Sequence, residues 1–303
     1  MKFVIAGASG FLGTALRGYL FSHRHQVTQL VRTAPATPEQ VQWDPYTRPL
    51  QPSVLEGADA VINLAGASIG HWPWTASYRD TLLQSRVVPT ETIAEAIAKL
   101  DSKPALVNSS AVGYYGDRGD EELDESSPPG EGFLAELVQR WEGATLAARE
   151  VGARVVTTRT GVVLDGRGGA LRLMQVPFKV GLGGNIGSGR QWFPTIALDD
   201  YLAVVTRLAG DESLSGPFVV AAPVPATNAD LTRALGRRLH RPTVLPAPTL
   251  AVRALLGNDL AGQLVGSLKV RPVALLAAGF EFAHPDLDSQ LDAALGGTRQ
   301  SRP

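Results

Sequence analysis

Two serines and two tyrosines stand close together in NSSAVGYYG, residues 108–116. Ser109 and Ser110 end an apolar run, and Tyr114 and Tyr115 follow on the stretch that leaves it. A phenol beside a strand-end hydroxyl can hand a proton to a reacting oxygen held there. With an ordinary pKa near ~10, a neutral tyrosine is a ready acid and a poor base. The chemistry expected of such a group is slow carbonyl reduction in preference to alcohol oxidation or sugar epimerisation. Ser110 and Tyr114 are the catalytic candidates. The rival reading has both tyrosines packing the loop, with their hydroxyls satisfied locally.

A second constellation supplies a partner for that chemistry. GASGFLG places Gly7, Gly10 and Gly13 directly after the apolar run KFVIA and at the start of a helical pattern. Glycines allow a tight turn there and let a dinucleotide pyrophosphate approach the backbone. The helix start adds unpaired N–H groups and the positive end of its dipole. Alone, a GxxGxxG pattern is as well read as an ordinary strand–helix turn. The strand before it, the helix after it and a further strand close behind favour dinucleotide binding. That second strand ends at Val31-Arg32. A carboxylate at this place would pair with the ribose hydroxyls of NAD, whereas arginine suits a 2′-phosphate. Arg32 therefore points to NADP(H), against the plainer reading of a solvated strand-end arginine.

Regular elements must hold these groups. Apolar runs at 2–6, 26–31, 58–65, 105–110, 154–164 and 217–223 read as buried parallel strands, and helical patterns lie near 11–22, 78–100 and 131–150. The alternation implies βαβ units and an α/β, Rossmann-type, doubly wound parallel sheet. From residue 224 the pattern changes to short helical pieces cut by proline, at 227–240, 247–257, 259–268 and 272–278. The expected organisation is a nucleotide-binding domain over 1–223, with 165–195 contributing to the substrate side. A small, mainly helical domain over 224–303 on the substrate side completes it, with the pocket expected between its helices and the strand ends and a frayed tail at 296–303.

Composition removes several function classes. The 303 residues carry a net charge of −1, so no electrostatic footprint for nucleic acid or an anionic membrane appears. There is no cysteine, which excludes thiol nucleophiles, disulfides and Cys-type zinc sites. No apolar run approaches a membrane span, and the opening strand leaves no room for a signal peptide. The expectation is a cytoplasmic monomer or homodimer acting on a small molecule, either a carbonyl compound or a nucleotide sugar, with no metal.

These segments resemble the extended short-chain dehydrogenase/reductase superfamily. More narrowly, the chain is similar to an atypical "epimerase family" whose members carry a C-terminal domain of unknown function. The resemblance rests on GASGFLG, GADAVINLAGASIG, SRVVPT, SSAVGYYGDRG, SPPGEGFLAELVQRWE, RTGVVL, GLGGNIGSGRQWFPTIALDD and TNADLTRALGRRLHRP, which together span nearly the whole chain. It implies that Gly7, Ser9, Gly10, Phe11, Leu12 and Gly13 hold the pyrophosphate and Arg32 the 2′-phosphate. Leu64, Ala65 and Gly66 would line the adenine-ribose side. Ser109 and Ser110 would stand at the catalytic serine position, and Thr160, Gly161 and Val162 beside the nicotinamide. Arg190 becomes a candidate for an anionic group of the substrate.

The chain departs from the superfamily at its centre. Active members carry Tyr-x-x-x-Lys on a helix after the serine, and here the window reads GFLAELVQRWEG. Phe133/Leu137 or Leu134/Val138 occupy the pair positions, and none of the five lysines follows a tyrosine by four. Ala197 stands where relatives often have histidine. Three readings follow: an NADP(H)-dependent oxidoreductase or epimerase-like enzyme with a rebuilt relay, a non-catalytic NADP(H)-sensing regulator, or a scaffold that uses the cofactor only to fold.

Other residues have plainer readings. Leu134, Val138, Trp141 and Thr145 recur at helical spacing and read as a packed stripe. Trp72 and Trp74, just after the NLAG strand end, are candidates for a wall of the substrate pocket alongside Tyr114, with packing as the alternative. The acidic stretch Asp117, Asp120, Glu121, Glu122, Asp124 and Glu125 reads as a solvated loop. Arg237, Arg238, His240 and Arg241 read as a solvated helix end, and His23 and His25 as surface residues.

Overall fold

The apolar runs become the centre of a seven-stranded parallel sheet. A computed structural model describes residues 1–47, 50–244 and 246–296. The strands, in chain order, are β1 (Lys2–Ala6), β2 (Gln26–Val31), β3 (Gln40–Gln42), β4 (Ala60–Asn63) and β5 (Ala105–Ala111). They are followed by β6 (Glu122–Leu123), β7 (Val155–Thr160), β8 (Val162–Leu164), β9 (Thr195–Ala197), β10 (Gly216–Val220) and β11 (Lys269–Val270). The main sheet runs β10-β7-β5-β4-β1-β2-β3, with every pairing parallel. Chain order reverses between β1 and β4, the switch point beside which such sheets bind ligands.

Alternation along the strands assigns the faces. Phe3, Ile5 and Val107 point to a layer formed by α1 (Phe11–Ser22) and, across β9, α6 (Leu198–Gly210), where Tyr201 and Leu202 pack. Val4, Ala6 and Leu106 point the other way, against Ile93 and Ile97 of α2 (Ala76–Ala98). The same side carries α3 (Phe133–Gly143) and α4 (Leu146–Glu150), one helical pattern divided at Ala144-Thr145. α2 is started by Thr75, whose side chain accepts from the Tyr78 N–H at 3.1 Å.

The apolar run at 154–164 is two strands. Gly161 donates to the Val220 carbonyl, and a Cβ there would lie 2.8 Å from the Pro194 carbonyl oxygen. The chain turns at this glycine, leaves the main sheet and pairs β8 with β9. α5 (Gly169–Lys179) follows β8. Its buried side joins α7 (Asn228–Leu239) and α10 (Leu287–Gly296) through Leu171, Phe178, Leu235 and Leu291.

The C-terminal part is mainly helical, as the proline-cut pattern implies. α7 opens on a reciprocal capping box between Thr227 and Asp230. α8 (Thr249–Val265) breaks at Gly257, whose φ of 76° lies outside the helical region, close to the boundary expected between two helical pieces. α9 (Val273–Ala277) completes the set. The residues expected to fray, beyond Gly296, lie outside the described residues.

Two charged segments are more engaged than their composition suggests. Arg237 and Arg238, read as a solvated helix end, reach across to Asp288, and Arg238 also to Asp292 on α10. The acidic stretch is a strap that ties the Trp192 loop and β10 to the C-terminal part. Asp117 accepts from the Ser267 N–H, Asp120 from the Trp192 indole, and Glu125 from the Val219 and Ala274 N–H groups. Glu122 pairs with Arg271, and β6 pairs with β11. Among the described residues no His/Cys/Asp/Glu group could hold a metal ion, and no helix is long and apolar enough to cross a membrane.

Candidate active site

The glycine turn is a built cradle. Gly7 has φ +77°, and a Cβ on it would stand 2.6 Å from the Leu64 carbonyl. A Cβ on Gly13 would lie 2.2 Å from the Gly7 carbonyl oxygen, so α1 rises directly against the turn. No side chain caps the start of α1 at Gly10, which leaves first-turn N–H groups pointing out beside exposed Ser9. Leu64 and Ala65 therefore touch the turn, and Gly66 follows them.

Arg32 lies close by. Ala6 pairs with Leu30, so Arg32 stands two residues further along the same edge, exposed, with its carbonyl accepting from Gln42. Among the described residues its guanidinium has no ion-pair partner. Phe11 points across to α5, where a Cβ on Gly168 would meet its ring at 2.5 Å. Further along α5, Leu173 meets Gly70. α5 thus spans from the glycine turn to the 67–74 loop, roofing the strand ends.

The tyrosine loop is held from beneath by an ion pair. Arg159 at the end of β7 bonds both carboxylate oxygens of Glu142 on α3, at 2.9 and 3.0 Å. Arg159 is buried and Glu142 mostly covered, with side chains 5% and 13% exposed. Ser110 donates to the same carboxylate at 2.6 Å, and Arg159 donates to the Tyr115 hydroxyl at 3.2 Å. The guanidinium lies 3.5 Å from the centre of the Tyr114 ring. Burial pulls Arg159 down, but the bonds and charge of Glu142 outweigh it, so the cation is held above its ordinary range. Burial pushes the Tyr115 phenol up to about 12, against the pull of Arg159.

These contacts separate the sequence candidates. Ser110 is 4% exposed and committed to Glu142. Ser109 faces the buried phenol of Tyr201 on the opposite side of the sheet. Tyr115 is fully buried. Tyr114 is half-buried, and its hydroxyl makes no hydrogen bond among the described residues. Thr160 pairs with Ala111 at the strand ends, with Gly161 and Val162 turning away behind it.

Beyond the ends of β4 and β5 an apolar pocket opens, lined by Ile69, Leu82, Ala111, Leu134, Val138 and Trp141. Both residues of the Leu134/Val138 alternative line it, along with Leu137 of the other. Trp74 packs beside it, 8% exposed, with Tyr114 against the same cluster. Trp72 is instead 52% exposed. Arg190 is exposed on the 181–194 loop, next to the start of α7. Ala197 is buried. The structure thus brings Trp74 and Tyr114 together and leaves Trp72 and Arg190 at the surface.

One charged residue enters this pocket that sequence reasoning passed over. Arg86 occupies the buried stripe of α2, four residues after Leu82 and seven before Ile93. A lone arginine at a core position of an apolar helical stripe is the signal that could have found it. Likewise, neither Glu142 nor Arg159 stands out in sequence, because their partnership spans separate elements.

Comparison with known proteins identifies the family. Residues 3–164 match the NAD dependent epimerase/dehydratase family, and residues 247–294 match a domain of unknown function, DUF1731. The chain belongs to the epimerase family. Epimerase family protein Mb2239 of Mycobacterium bovis is 43% identical over 291 residues, covering 96% of both chains. The human epimerase family protein SDR39U1 is 37% identical over 295 residues, covering 96% of this chain and 98% of its own. A crystal structure of human SDR39U1 isoform 2 with NADPH superposes with a TM-score of 0.90 at 34% identity. That match covers 98% of this chain and 99% of the other. As an epimerase-family protein, the chain has the Rossmann-type parallel sheet and helical C-terminal region expected from its sequence.

Proposed function

We propose that this chain binds NADP(H) across the Gly7–Gly13 turn and works as an oxidoreductase that reduces a carbonyl compound. The observation that carries the reading is the cradle, where a Cβ at Gly7 or Gly13 would collide with backbone. Such closeness leaves room for a pyrophosphate against first-turn N–H groups. The human relative crystallised with NADPH supports the same ligand. Arg32, exposed beside the turn, is the group for the 2′-phosphate. The reduced nicotinamide would supply the hydride. Tyr114 would supply the proton, since its hydroxyl is not bonded elsewhere among the described residues and its ring is oriented by Arg159. A nucleotide-sugar epimerisation fits less well, because it needs a base that takes a proton as readily as it returns one.

A charge-assisted contact of this kind contributes about 1.5–3 kcal/mol. NADPH is therefore expected to bind at least tenfold tighter than NADH, and Arg32→Glu to narrow or reverse the preference. Calorimetry at physiological salt checks both, and equal affinities for the two cofactors would remove Arg32 from recognition.

A second reading, an NADP(H)-responsive regulator without turnover, is favoured by one observation. The Ser110 hydroxyl is already committed to Glu142, and α3 presents only apolar groups to the pocket. The two readings separate on a carbonyl screen with NADPH, followed by Tyr114→Phe, Tyr115→Phe and Ser110→Ala. The oxidoreductase reading expects Tyr114→Phe alone to lower kcat by ~10²-fold or more. Turnover that survives all three changes would take this loop out of the mechanism. Tight NADPH binding with no turnover on any carbonyl would establish the regulator.

A further inference from the structure

Arg86 is 7% exposed, and among the described residues no carboxylate pairs with it. Its Nη1 donates to the Leu82 carbonyl at 2.9 Å and its Nη2 to the Ala67 carbonyl at 3.1 Å. A guanidinium has five N–H donors, so these two bonds anchor it without exhausting it. Its charge also sits over the Trp141 ring, 5.2 Å from the centre. On its other side a Cβ at Gly66 would lie 3.3 Å from the guanidinium carbon, so Gly66 leaves the space that Arg86 fills. Burial pulls its pKa down to about 10, the mark of a cation held out of water without a counter-charge.

A buried charge without a partner is costly, and carbonyls and a ring face compensate only part of that cost. The remaining lining of the pocket is apolar: Ile69, Leu82, Ala111, Leu134 and Val138. The pocket begins where β5 ends, and Arg86 packs against Gly66, the residue after the Leu64-Ala65 backbone that touches the glycine turn. An anion seated on Arg86 would therefore stand at the same end of the sheet as the glycine turn, where the proposed cofactor would lie.

We infer that Arg86 is the anion-recognising residue of this pocket, and that the pocket takes a compact apolar compound bearing one carboxylate. The inference deepens the oxidoreductase reading and rests on it for the role of substrate. A carboxylate matches the guanidinium fork with two parallel bonds, and an apolar body matches the walls. A phosphate group fits worse, because a strongly hydrated dianion needs several donors and this lining offers one cation.

The test uses the full chain and four probes: benzoate, phenylacetate, phenylpyruvate and 4-methyl-2-oxopentanoate, each compared with its neutral carboxamide. Affinities are read by calorimetry and thermal shift, with and without saturating NADPH. On the unaltered protein at least one carboxylate is expected to bind tenfold or more tighter than its amide. Arg86→Gln should abolish that advantage and Arg86→Lys should reduce it, while NADPH affinity changes less than twofold. If no carboxylate outbinds its amide on the unaltered protein, the inference is overturned without reference to any variant. It is equally overturned if the advantage persists in Arg86→Gln. A loss of more than tenfold in NADPH affinity in Arg86→Lys would give the cation to the cofactor instead, and overturn it too. Carboxylate discrimination without NADPH binding would sink the proposed function and leave the anion site standing.

Discussion

Replacing Glu142 with leucine is expected to cost about 3–5 kcal/mol of stability, a large share of what a folded chain has in reserve. The change strands Arg159, 5% exposed, without its counter-charge, and removes the acceptor of the Ser110 hydroxyl. The cost arises from the orphaned charge more than from lost attraction. The double change Glu142→Leu with Arg159→Met should therefore recover much of the loss, as apolar replacement of a whole buried pair commonly does. Urea denaturation of the two variants checks the sign and the recovery. A single-variant loss below about 1 kcal/mol would mean that the pair behaves as a solvated surface bridge. NADPH affinity should move far less than stability, because none of the three residues touches the glycine turn in any contact described above.

Gly130→Ala is expected to act on the same loop by geometry. A Cβ there would lie 1.9 Å from the Tyr115 carbonyl oxygen and 2.8 Å from the Gly116 nitrogen, both backbone atoms. The Gly130 N–H also donates to the Tyr114 carbonyl at 2.9 Å, so relieving the clash breaks the bond that seats the tyrosines. Overpacking of this kind costs about 1–3 kcal/mol, and more where only backbone can yield. Thermal unfolding reads the stability loss. If Tyr114 is the proton donor, carbonyl turnover falls further than stability alone explains, while NADPH affinity holds. A variant as stable as the parent would show that the 114–116 and 128–132 segments can part freely.

The parts legible in the sequence are those with a local cause. Six of the seven main-sheet strands read as apolar runs, five of them mostly buried and β2 exposed at its start, and the glycine turn and Arg32 follow from their place after β1 and β2. The seventh, β3, is the edge strand Gln-Val-Gln, too short and too polar to carry a pattern. The run 154–164 hid its break because the reason lies elsewhere, in the carbonyl of Pro194 pressed against Gly161. α5, α6 and α10 were not singled out either, although their buried faces close the core. At the site, the loss of Tyr-x-x-x-Lys was plain because it is a matter of residue type at a known spacing. What replaces it was not. Glu142, Arg159 and Ser110 meet only when α3, β7 and β5 pack side by side. Arg86 shows in the sequence as a lone charge on an apolar helical stripe, but the carboxylate-free pocket around it is assembled only by the fold.

The strap between the acidic stretch and the C-terminal part has a consequence for how the chain is made. Asp117 and Ser267 bond across 150 positions, and Leu123 packs with Tyr115, Val219 and Val270. At a synthesis rate of ~5–20 residues per second, β6 waits roughly 7–30 s for the segment that pairs with it. During that interval Leu123 has Tyr115 beside it and gains Val219 once β10 is made, but lacks Val270, which closes the cluster. Until β11 is made, this cluster stays open to chaperones, proteases and neighbouring nascent chains. A chain that stops short of Ser267 keeps the Arg159–Glu142 pair under its tyrosine loop but leaves β6 without the strand that pairs with it.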